Sequence, residues 1–331
     1  MLPEFLFSPF LGQPAWAWLG FIALVIVLLA FDLGVLHRKE REIEVRESLI
    51  LSAFYIAMAL AFGGFVWWRM GAEAGQLFIT GFLVEKTLAM DNIFVISLIF
   101  TYFAVPRIFQ HRVLLWGILG VIVLRGIMIG LGARLIEEFD WILLVFGAFL
   151  LFTGIKMLAL ADRTPEIGDN ALLRFLRRRL RVTSDFVGNR FLVRRPHPAE
   201  PSRLVWYATP LFLALLMVEA ADLVFAVDSI PAIFAITQDP YIVYTSNIFA
   251  ILGLRALYFA LAAMMHRFRY LKYALALILV FIGGKILFAE LFFHVPAALS
   301  LGVTLFLLVS GIVGSLLRTR REEAARGLPA E

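Results

Sequence analysis

The chain has 331 residues, 62% of them hydrophobic and 17% charged, with no cysteine and a net charge of +5. A soluble domain is nearer half apolar and a quarter charged, so this composition points to a single membrane domain over residues 1–331 rather than soluble ones. The missing thiols exclude a disulfide framework, thiolate metal sites and iron–sulfur clusters.

The apolar residues gather in runs long enough to cross a hydrocarbon core about 30 Å thick. Taken in chain order, the runs predict an all-α polytopic membrane protein of about nine transmembrane helices, at roughly 15–36, 49–69, 76–101, 112–134, 140–161, 206–230, 241–264, 270–290 and 295–317. Met1 to Pro14 carries no Lys or Arg, so no cleaved signal peptide is expected. Asp32, near the inner end of the first span, reads as an interfacial anchor. The five histidines, His37, His111, His197, His266 and His294, fall in loops or at helix ends, which excludes an intramembrane haem or imidazole metal site.

Basic residues set orientation. Arg38, Lys39, Arg41 and Arg46 follow span one, Arg107 and Arg112 follow span three, and ten arginines lie between Arg163 and Arg203. Arg267, Arg269 and Lys272 precede span eight, and Arg318, Arg320 and Arg321 follow span nine. With nine spans all of these fall on one side. The N-terminus is then outside and the C-terminus cytoplasmic, in a bacterial inner membrane. In the Arg-rich loop, 162–205, Asn170 is placed to cap a helix from Ala171 to Val182. The leucines 172, 173, 176 and 180 share one face of it, as in a helix lying on an anionic membrane surface. The loop reads first as a basic anchor that enforces topology, and second as a regulatory or lipid-sensing element. Arg194 to Ser202, with three prolines, reads as a linker.

Four matches recur in the same order. Ile118-Leu119-Gly120 returns as Ile251-Leu252-Gly253, and Leu124-Arg125 as Leu254-Arg255. The stretch 152–158 returns as 281–287. Glu85 and Asp91, with Asn92 following, return as Asp222 and Asp228, with Ser229 following. The repeats cover about 75–161 and 206–290. Three helices per unit make the second copy enter the membrane from the opposite side, and such inverted repeats place a substrate site near the midplane.

The chemistry lies in spans three and six. Glu85 and Asp91 sit in one, and Glu219, Asp222 and Asp228 in the other. Each charge at a span centre costs about 2.5–3.5 kcal/mol on insertion scales, so these side chains must face protein, water or cations. Glu85 and Asn92 share a helix face, as do Asp222 and Ser229. Asp91 and Asp228 lie about 120° away on a straight helix, and Pro231 supplies a reason for span six to unwind and turn them inward. Asn247 is a mid-helix polar group suited to ligation or to a helix–helix hydrogen bond. The candidate metal-binding set is therefore Glu85, Asp91, Asn92, Glu219, Asp222, Asp228, Ser229 and Asn247. Hard oxygen donors suit Mn²⁺, Mg²⁺ or Ca²⁺, and Met90 and Met217 could add a softer ligand. The plainer reading is structural ion pairing, with Lys86, Arg125, Lys156, Arg255 and Lys285 as partners, and a second alternative is a proton relay without metal.

Residues 85–95 (Glu-Lys-Thr-Leu-Ala-Met-Asp-Asn-Ile-Phe-Val), 222–235 and 245–255 resemble the motifs of TerC-type integral membrane proteins, most of all the Alx branch. The resemblance runs from span one to span nine. It implies a role in manganese export and metal homeostasis, a name taken from tellurium resistance, and intramembrane acids at Glu85, Asp91, Glu219, Asp222 and Asp228. The expectation is a transporter that exports a divalent cation, Mn²⁺ first, by proton exchange on these acids. It is expected not to be an enzyme and to need no catalytic cofactor. Its partners are the cation, protons and the lipid bilayer, with no nucleic acid, and a homo-oligomer is compatible with all of this. Two rivals remain: a membrane-embedded enzyme using paired aspartates, and a scaffold acting through its basic loop.

Overall fold

The computed structural model describes residues 7–36, 45–139, 141–159, 170–197, 202–262, 270–289 and 295–325. A two-residue hairpin, β1 (Pro9–Phe10) and β2 (Gln13–Pro14), leads into α1 (Ala15–Leu36), α2 (Val45–Met70), α3 (Ala72–Tyr102), α4 (Arg107–Glu138) and α5 (Ile142–Ala159). Then come α6 (Ala171–Arg179), β3 (Leu192–Pro196) and β4 (Leu204–Ala208). The chain continues with α7 (Pro210–Phe234), α8 (Pro240–Leu252), α9 (Leu254–Ala262), α10 (Leu271–Ala289) and α11 (Ala297–Ala325). It is an all-α, multi-pass integral membrane protein.

Among the described residues, α1, α2, α4, α5, α7 and α11 are long and apolar enough to cross a bilayer. The pair α8 and α9, bent by 41°, makes a seventh if taken as one span. The longer α3 carries Glu73, Glu85, Lys86 and Asp91, too many charges for lipid exposure. Local chemistry sets the helix ends. Gly71, at φ 100°, makes the sharp turn between α2 and α3 that a side chain would strain. Asp239 caps α8 by accepting from the Tyr241 and Ile242 amides at 2.8 and 3.3 Å, with Pro240 at the first helical position.

In the interior, α3 packs on α8 and α7, α4 on α7, and α5 along α10. The last pair approaches closely because glycines line it. A Cβ at Gly154 would lie 2.8 Å from the Ala276 carbonyl oxygen, and one at Gly283 2.7 Å from that of Gly147.

Three sequence expectations need correction. First, α7 stays helical through Pro231 to Phe234, with no unwound stretch. The proline falls in the last turn, where little helix remains to be broken. Second, Arg194–Ser202 is not a plain linker. β3 and β4 pair antiparallel, Arg194 opposite Trp206, so span six begins only at Pro210; residues 198–201 lie outside the described ones. Third, Asn170 does cap α6, accepting from the Leu172 amide at 2.9 Å, but the helix ends at Arg179. Leu173 is buried and Leu176 and Leu180 pack with it into the apolar cluster of Phe103, Val113 and Leu213, so these three meet protein rather than lipid, while Leu172 stands exposed. Of the histidines, His111 lies near the start of α4 and His197 follows β3, while His37, His266 and His294 are outside the described residues.

Candidate functional site

A spacing of seven residues brings Glu85 and Asn92 onto one face of α3, and Asp222 and Ser229 onto one face of α7. Where α3, α4, α7 and α8 meet, these faces turn toward each other. Six polar side chains are buried there: Glu85, Asn92, Arg125, Asp222, Ser229 and Asn247. Glu85 and Asn247 have no exposed surface at all. In a lipid-facing position this set could not persist, because burying unpaired charge costs several kcal/mol per ion.

Arg125 is the hub. Its Nη1 donates to Glu85 Oε1, to Ser229 Oγ at 3.0 Å and to Asn247 Oδ1 at 3.0 Å. Asn92 Nδ2 donates to Asp222 Oδ1 at 3.4 Å, and Asp222 lies within electrostatic reach of both Arg125 and Glu85. Glu219, one turn before Asp222, is in electrostatic reach of it. The Glu219 carboxylate lies against α4 at Gly120, where any Cβ would collide with it. The cluster thus sets two carboxyls, Glu85 and Asp222, against one guanidinium, with a third, Glu219, in reach of Asp222.

Hydrogen bonding is incomplete. Glu85 Oε2, Glu219 Oε2, Arg125 Nε and Asn247 Nδ2 are buried with no partner among the described residues. Native interiors leave few such atoms, and each asks for an explanation. The two carboxylate oxygens have lone pairs to offer a cation or water. Among the described residues, however, no three acid or imidazole side chains come within reach of one metal ion as the side chains stand.

Of the eight sequence candidates, Glu85, Asn92, Asp222, Ser229 and Asn247 come together, with Glu219 beside them. Asp228 does not join. Because α7 stays regular, it points toward α5, where it accepts a hydrogen bond from Thr153 and faces Lys156. Asp91 lies on α3, and its side chain is outside the described residues. Met217 is buried in the apolar cluster and Met90 packs against it, so both fill space there. Sequence reasoning treated Arg125 as a brace and missed its central place. The signal was the recurring Leu-Arg pair.

That pair's second copy forms a separate site. Arg255 Nη2 donates to Asp32 Oδ1 at 2.5 Å, both side chains buried, with Tyr55 in electrostatic reach. Asp32 is therefore no interfacial anchor. Around it, Ser48 donates to the Ala256 carbonyl, and Lys86 Nζ donates to the Ala250 carbonyl at 3.0 Å, close to the bend between α8 and α9.

The family described as "Integral membrane protein TerC family" matches residues 70–323. An uncharacterized membrane protein of Myxococcus xanthus is 47% identical over 312 residues, covering 94% of this chain and 95% of its own. One from Rickettsia bellii is 47% identical over 302 residues, covering 91% and 97%. Alx of Escherichia coli K12, a proposed membrane-bound redox modulator, is 46% identical over 319 residues, covering 94% and 97%. No solved structure matches the chain.

Proposed function

The chain belongs to the TerC family of integral membrane proteins, and from that premise we propose that it is a secondary transporter exporting a divalent cation, Mn²⁺ first, through the cluster around Arg125. The observation that carries this reading is the surplus of acid. Glu85 and Asp222, from two helices, face one guanidinium, Glu219 stands in electrostatic reach of Asp222, and one oxygen each of Glu85 and Glu219 lacks a partner among the described residues.

Arg125 acts as the resident cation. Between turnovers it neutralises Glu85. An arriving ion takes that carboxylate over, with Asp222, Glu219 and the Ser229 and Asn247 oxygens completing a hard oxygen shell. Closely held carboxyls accept protons as the ion leaves, so proton exchange drives the cycle. The loops carry no phosphate-binding motif for ATP drive. Cation and protons are cargo, no catalytic cofactor is required, and the protein is not an enzyme. Asp228, held by Thr153, stands outside this set.

The same reading takes 75–161 and 206–290 as an inverted repeat within nine spans. Its support is the ordered sequence matches and the crosswise packing of α3 on α8 and α4 on α7. The Lys and Arg distribution supports an outside N-terminus and a cytoplasmic C-terminus in a bacterial inner membrane. A carboxylate site repels oxyanions, so tellurium resistance is an indirect effect. The redox role named for Alx cannot use thiols of this chain, which has none.

A structural brace is the rival, favoured by the Glu85–Arg125 pair and by the lack of a ready acid trio among the described residues. Flux into proteoliposomes, read with a trapped Mn²⁺-sensitive dye, separates the two. Asp222→Asn is expected to cut flux about 100-fold, or roughly 2.7 kcal/mol of lost ion stabilisation, in protein that still folds. Wild-type flux in both Asp222→Asn and Glu85→Gln would overturn the transport site.

A further inference from the structure

The basic segment before α7 plays no part in the cation cluster. Its described residues, 170–197 and 202–209, hold nine arginines and one acid, Asp185. Within this segment's footprint lies a cavity of about 440 Å³, in the size range of ligand pockets. Arg177, Thr183 and Ser184 supply its polar wall, and Phe103, Leu213 and Pro210 its apolar one. We propose that this cavity seats the phosphate headgroup of an anionic phospholipid, with Arg177 as its counter-charge, and that α6 and the β3–β4 hairpin rest on the lipid surface around it.

Position comes first. Phe103 caps the end of α3 and Pro210 opens α7. The cavity therefore lies where α3 ends and α7 begins; α7 is long and apolar enough to cross a bilayer, which sets its first turn at the depth of the headgroups. Charge comes second. Arg177 makes no ion pair among the described residues and rests its guanidinium 5.9 Å from the centre of the Tyr102 ring. The hydroxyls nearby are engaged: Thr183 donates to the Asp185 carbonyl at 2.9 Å and Ser184 to the Asp185 carboxylate at 2.8 Å. Arg177 is thus the donor left for a phosphate, and a guanidinium suits one well.

The third observation selects lipid over a soluble polyanion. Phe175, Leu192, Leu204 and Trp206 stand about half exposed between the arginines. Arg194 lies 4.5 Å over the Trp206 ring. Arginine and tryptophan side by side, with apolar neighbours, match the interfacial belt of membrane proteins. A nucleic acid would leave those apolar side chains in water. Basic pockets at helix ends are known lipid-headgroup sites in general.

Native mass spectrometry of the full chain in detergent, titrated with phosphatidylglycerol, phosphatidylcholine or inorganic phosphate, tests this. Saturable binding of phosphatidylglycerol over phosphatidylcholine is expected. Arg177→Gln should weaken it about fivefold, the worth of one basic side chain at an anionic surface. Ser184→Trp keeps every charge but fills the cavity, and should abolish the saturable site. Arg178→Gln, a neighbour not lining the cavity, should leave it intact. Equal weakening by Arg177→Gln and Arg178→Gln, with Ser184→Trp silent, would mean diffuse surface attraction and overturn the proposal. Inorganic phosphate displacing the lipid at similar concentration would also overturn it, in favour of a soluble anion.

Discussion

Two buried arginines, five places into α4 from Gly120 and one into α9, hold opposite kinds of site. Arg255 meets Asp32 beside the bend between α8 and α9. Arg125 meets Glu85 but also stands near Asp222, with Glu219 close behind. A buried acid–base pair braces a fold, since removing either partner strands a charge. An unbalanced cluster with unsatisfied oxygens invites a mobile cation. The contrast, rather than burial alone, separates a structural pair from the proposed transport site.

The largest expected effect falls on the Asp32–Arg255 pair. Asp32→Asn should destabilise the protein by about 3–5 kcal/mol, measured by denaturant unfolding in detergent, whereas Asp32→Leu with Arg255→Met should return most of that loss. A mild Asp32→Asn would erase the contrast. Next, Arg125→Met removes the resident cation and leaves the acids. Its melting temperature should rise with added Mn²⁺, worth about 2.7 kcal/mol at a hundredfold excess over Kd, while Arg255→Met should show no such rescue. Equal metal response in the two variants would break the comparison. The smallest effect is at Gly120→Ala, whose methyl group displaces the Glu219 carboxylate. Calorimetry should find Mn²⁺ binding weakened about tenfold, or 1.4 kcal/mol.

Much of this was readable from the sequence because the relevant physics is periodic. Runs of apolar residues specify helices, and a spacing of seven put Glu85 with Asn92 and Asp222 with Ser229 on shared faces that the fold then joins. What escaped depends on partners distant in the chain. Nothing local to Arg125 says that Ser229, 104 residues on, would accept its hydrogen bond. Asp228 was expected inside the site because Pro231 suggested an unwound helix. Placed in the last turn, the proline breaks nothing, and Asp228 keeps its straight-helix direction toward Thr153. The leucine face of α6 looked like a lipid-facing surface because amphipathicity records only that a face is buried, not against what. The β3–β4 hairpin was hidden by prolines and arginines that ordinarily mark a loop.

Anomalous scattering from crystals soaked in Mn²⁺ tests the central claim most directly. A peak between Glu85 and Asp222, with the Arg125 side chain withdrawn from Glu85, is the predicted result. Arg125 still bonded to Glu85 at saturating Mn²⁺, with no peak among the α3 and α7 acids, would contradict it.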